Sequence, residues 1–160
     1  MSTLKSMLSI NKMIAVWGLA LLASHVNAIN HTDGKTPYED ITATVIPMVG
    51  ANKTIIGQEF KFPSGSPLIN AFNIEIAPGK KTDTHQHLVP LYVYVVSGEL
   101  EVDYGSKGKK VIPAGSSYVE AMNWCHYGKP AGQGPVKIIG IYLGQEKPDQ
   151  IKPVSCDKLQ

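Results

Sequence analysis

From residue 41 to residue 143 the chain is a succession of short runs rich in Val, Ile, Leu, Tyr and Phe, separated by Gly, Pro, Asn and Ser. Several runs alternate apolar and polar positions, and none repeats near three and a half residues over helix length. The pattern therefore predicts strands and leaves room only for short helices. Strands are expected at 41–47, 55–62, 68–76, 82–87, 91–96, 99–104, 109–112, 117–120, 124–127 and 136–143. That is enough to build two packed antiparallel sheets, an all-β sandwich or barrel.

The punctuation has physical causes. Pro78-Gly79 closes one strand, because proline donates no ladder hydrogen bond and glycine tolerates positive φ. Ser97-Gly98 separates LYVYVV from ELEVDY, and two runs of that length read as a hairpin. Pro113-Ala114-Gly115 marks the next turn.

The ends differ from this pattern. Lys5 and Lys12 lead into an apolar run over 13–23, and the polar stretch SHVNA then ends at Ala28. Residues 1–28 read as a signal peptide, since the run is short for a bilayer and Val26 with Ala28 suits signal peptidase. The product would be periplasmic or secreted, with no membrane contact after cleavage. An uncleaved anchor is the alternative, but no second basic flank follows the run. Residues 29–40, with His31, read as a polar arm, 41–145 as the barrel, and 146–160 as a proline-containing surface tail.

Charge narrows the partners. The 160-residue chain has a formal net charge of +2, from 15 basic and 13 acidic residues, and every basic residue is a lysine. A nearly neutral protein without guanidinium groups is poorly equipped to grip phosphates or guanine edges, so nucleic acid is excluded as a partner. Cys125 and Cys156 both follow the export segment. As a disulfide they would close a loop and stabilise the fold by about 3 kcal/mol. Two unpaired thiols remain the alternative.

The chemistry resides in histidines. His85 and His87 flank Gln86 on an expected strand, so their rings share one face about 6 to 7 Å apart while Gln86 faces the other way. Two ring nitrogens at that spacing can reach one ion at about 2.0 to 2.1 Å. A third ligand must come from another strand, and His126 is the candidate. A pair of surface histidines is the bland alternative.

Two stretches carry a family resemblance. Gly79, His85, His87 and Gly98 stand at the spacing of the first motif of the cupin superfamily, and the chain resembles its small single-domain bacterial members. From Gly115 the sequence is similar to the second motif, with His126 at the place of the third metal-binding histidine. Ala121, Asn123 and Pro130 stand where the family has proline, glycine and asparagine. The resemblance covers about residues 45–143 and implies a cupin barrel, the double-stranded β-helix or jelly-roll, with a metal held by His85, His87 and His126. The glutamate that follows the family's paired histidines is replaced by Leu91 and Tyr92, so the resemblance implies no fourth protein ligand. Glu99, Glu101 and Glu120 read as solvated surface carboxylates.

Three neutral imidazoles leave a divalent ion's charge uncompensated and favour an anionic oxygen ligand. One divalent transition metal is expected, with Fe, Zn, Mn, Ni and Cu not distinguished. Iron would suit a dioxygenase-like, oxygen-dependent oxidoreductase acting on a small organic anion, and zinc a hydrolase or isomerase. Non-catalytic binding of a small ligand or metal is the third reading. If the strand alternates regularly, Val89, Leu91, Val93 and Val95 form an apolar wall below the ion, which suits an organic ligand. By resemblance, a homodimer is expected, with the 42–46 segment available for exchange between subunits.

Overall fold

In the computed structural model the described residues are 42–146 and 152–160. The expected signal peptide over 1–28 and arm over 29–40 lie outside the described residues, as do positions 41 and 147–151. The strands are β1 (Met48–Val49), β2 (Pro67–Ile76), β3 (His85–Gln86), β4 (Leu91–Ser97), β5 (Glu99–Asp103), β6 (Lys109–Pro113), β7 (Ser117–Val119), β8 (Tyr127–Pro130), β9 (Val136–Gln145) and β10 (Val154–Ser155). One turn of 3-10 helix, Gly105–Lys107, is the sole helical element among the described residues.

Five strands form one sheet in the order β1-β7-β4-β9-β2, and three form a second in the order β6-β5-β8. The pair β10-β3 stands apart. Alternation decides which side chains enter the space between the sheets. In β4, Leu91, Val93 and Val95 are buried while Tyr92 and Tyr94 are half-buried on the other face. In β9, Val136, Ile138 and Tyr142 point inward, and in β5 Leu100 and Val102 do. Each such apolar side chain removed from water stabilises the fold by about 1.5–3 kcal/mol.

Most expected strands are present, but several expectations need correction. Residues 42–47 are exposed and form no strand, and the parallel pairing with β7 begins only at Met48, after Pro47. Residues 55–62 do not form a strand either. The chain turns there instead, with Gly57 at φ 84° donating its N–H to the Thr54 carbonyl. The expected strand over 82–87 shrinks to His85–Gln86, and β8 begins at Tyr127 rather than at 124.

The hairpin at Ser97-Gly98 is also absent, because β4 and β5 belong to different sheets. A single glycine cannot make a two-residue hairpin loop. At φ 77°, Gly98 instead redirects the chain from one sheet to the other, and β5 pairs with β6 and β8. A Cβ on Gly98 would stand 2.5 Å from the Pro135 carbonyl oxygen. Gly98→Ala is therefore expected to destabilise the domain by roughly 2–4 kcal/mol in urea denaturation, from the left-handed backbone and the clash together.

The 152–160 segment lies at the surface yet is tied down. Val154 and Ser155 pair with Gln86 and His85, Cys156 donates its N–H to the Thr84 carbonyl, and the Ser106 N–H donates to the Gln160 carbonyl. Of the two thiol alternatives the disulfide holds: Cys125 and Cys156 are bonded, with their Cα atoms 6.1 Å apart.

Candidate metal centre

His85 and His126 exchange both backbone hydrogen bonds, N–H to carbonyl at 2.9 Å in each direction. Residues so paired across antiparallel strands project from the same face. His87 lies two positions on, and its carbonyl accepts from the Asn123 N–H, the residue that takes φ 50° to turn the chain towards His126. The backbone thus delivers three imidazoles to one place. Ring centroids are 4.7 Å apart for His85 and His126, 4.9 Å for His85 and His87, and 5.2 Å for His87 and His126. One potential ligand atom from each lies within 4.8 Å of the others, the one such group of three among the described residues.

Each ring is oriented through its Nδ1. That atom in His85 is 2.7 Å from the Asp83 carbonyl oxygen, and in His126 it is 2.8 Å from the Trp124 carbonyl oxygen. A carbonyl only accepts, so Nδ1 is the donor in both rings and Nε2 is the nitrogen left for an ion. In His87, Nδ1 meets the Tyr142 hydroxyl at 3.2 Å. This donor set fits a divalent transition ion: three imidazoles, each with its Nδ1 engaged.

Burial favours the neutral form of His85 and His87. Desolvation, followed by the neighbouring His126 and His85, lowers the His87 pKa to about 2, and burial likewise lowers that of His85. The unfolded chain takes up these protons first, so the contribution of His87 to stability is complete above its ordinary pKa of 6.5 and drains as pH falls towards about 2. Chelator-treated protein is expected to lose about 2 kcal/mol of unfolding free energy between roughly pH 7.5 and pH 5, measured by urea titration.

Below the rings lies a cavity of about 340 Å³. Ile74, Ile76, Leu91, Val93, Leu100, Val102 and Ile138 give it apolar walls, while Asp83, Tyr118, Glu120 and Tyr142 add polar groups. Leu91 and Val93 line it as expected, and Val89 and Val95 are buried with them. Pro153 and Ser155, from the segment expected to be a surface tail, also line it.

Glu120 corrects the reading of the acids. Rather than a solvated surface group it is 4 % exposed. Its Oε1 accepts from the Tyr104 hydroxyl at 2.6 Å and the Ala121 N–H at 2.7 Å. Its Oε2 accepts from the Tyr118 hydroxyl at 3.1 Å and lies 3.6 Å from His126 Nε2. Burial, and then the Glu120 charge, raise both tyrosine pKa values well above the usual range, which keeps the phenols as donors. The sequence held a clue in Tyr118, two positions away on the same face. Glu99 is exposed, and Glu101 faces away from the core, bridged to Lys109 at 3.3 Å and Lys129 at 3.4 Å.

A family model described as the cupin domain matches residues 72–142, the span that holds all three histidines and Glu120. The likeness to the cupin domain thus lies in residues 72–142, and the described residues are all-β. No curated protein matches the chain. Among solved structures, the oxalate decarboxylase of Lactobacillus farciminis is 23 % identical over 54 % of this chain and 26 % of its own, with a TM-score of 0.47. A polyketide cyclase from Streptomyces resistomycificus is 12 % identical over 61 % of this chain and 65 % of its own, at 0.48. A double-stranded β-helix protein from Klebsiella pneumoniae is 16 % identical over 62 % and 86 %, also at 0.48. This chain thus spans about a quarter of the decarboxylase and less than two thirds of the cyclase.

Proposed function

We propose that this chain is an exported metal-binding cupin in which His85, His87 and His126 hold one divalent transition ion beside a cavity that receives a small organic anion, with oxygen-dependent oxidation as the reaction. The observation that carries the reading is the convergence of three imidazoles on a largely apolar cavity. An ion held there would supply positive charge and open positions for an anionic oxygen donor. The protein's own residues orient the rings through Asp83, Trp124 and Tyr142, and Leu91, Val93 and Ile138 exclude water from the organic part of a ligand. The bonded Cys125 and Cys156 support export, since disulfides persist in oxidising compartments.

A second reading, non-catalytic binding of the metal or a small ligand, draws on a specific observation. Glu120, the more buried carboxylate lining the cavity, already accepts three hydrogen bonds that hold it within the protein. One experiment separates the two. Purified protein is analysed for metal, loaded with iron, and followed for oxygen uptake against diketones, thiols and phenolics. Uptake that disappears in His126→Ala supports oxidation, whereas metal binding without uptake leaves the binding reading.

A further inference from the structure

We propose that Glu120 is the acidic member of the metal site, balancing from the end of β7 part of the charge that the three neutral histidines leave uncompensated. This inference rests on the metal-binding reading and extends it to a residue outside the ligand trio.

His126 Nδ1 faces the Trp124 carbonyl oxygen at 2.8 Å, so Nε2 is the ring nitrogen turned towards the site. Glu120 Oε2 lies 3.6 Å from that Nε2, with the two side chains 2 % and 5 % exposed. A cation held on Nε2 would stand beside a carboxylate that water screens little, where opposite charges attract strongly. The carboxylate is also held for this task. Oε1 is saturated by Tyr104 and Ala121, while Oε2 has only the longer bond from Tyr118 and remains turned towards the histidines. Its oxygens are not among the three mutually close ligand atoms, so Glu120 acts on the ion through space or through a ligand it holds.

The test uses Zn²⁺ as the probe, titrated in competition with a chromophoric chelator into the whole protein, Glu120→Gln and Tyr104→Phe. Glu120→Gln keeps the shape and removes the charge, and is expected to weaken Zn²⁺ binding about 10–100-fold with one ion per chain retained. Tyr104→Phe removes a hydrogen bond to the same carboxylate but leaves its charge, and is expected to bind within about threefold of the parent. If Glu120→Gln does not fold, Glu120→Asp draws the carboxylate back by one methylene, and a loss of the same order is expected. Parent-like affinity in the Glu120 variant, or equal losses in the Glu120 and Tyr104 variants, would overturn the inference and leave Glu120 as a packing hub. Failure of the unaltered protein to take up Zn²⁺ would instead end the metal reading and this inference together.

Discussion

His126→Ala is expected to weaken binding of a divalent transition ion by more than about 100-fold, beyond the 10–100-fold that outer partners of a metal site command. The reason is geometric. His126 is locked to His85 by reciprocal backbone hydrogen bonds and its ring is fixed by the Trp124 carbonyl, and among the described residues it completes the one group of three close ligand atoms. The variant keeps His85 and His87 but loses the ligand from the second segment. Metal content after dialysis and competition titration would measure the effect, with circular dichroism as the control for folding. Retention of parent-like affinity would place the ion elsewhere.

Breaking the disulfide should have the largest effect on stability. Cys125 and Cys156 are 31 positions apart, and closing such a loop stabilises the native state by about 3–4 kcal/mol in the chain-entropy model. Reduction, or the double change Cys125→Ala with Cys156→Ala, is expected to lower the Tm on the order of 15 °C. The effect extends to the site, because the tethered segment carries β10, which pairs with His85 and Gln86, and places Pro153 and Ser155 at the cavity wall. Chelators should therefore strip metal faster from the reduced protein. Equal Tm values with and without reductant would show that β10 is held without the bridge.

The parts of this molecule legible in its sequence were those governed by local rules. Period-two alternation in LYVYVV put Leu91, Val93 and Val95 inside, and the one-residue gap between His85 and His87 put both rings on one face. What escaped was governed by distant partners. Gly98 looked like the centre of a hairpin because two strand-like runs flank it, and only the close approach of Pro135 makes it a crossing between sheets. Glu120 looked like a surface acid because carboxylates are seldom buried alone. It is buried because Tyr104, from a different strand region, and Tyr118 both donate to it. The 152–160 segment reads as part of a surface tail because alternation is lost after Gln145, and its anchors, Cys125, Thr84 and Ser106, lie far away in the chain. Strand 55–62 failed for a local reason, since Gly57 turns the chain inside an otherwise β-rich run.

Anomalous diffraction at a transition-metal edge, from crystals of metal-loaded protein, tests the central claim most directly. The account predicts one peak at about 2.0–2.1 Å from a ring nitrogen of each of His85, His87 and His126. A density map without a peak among these three rings, or with the rings turned away from one another, would contradict it.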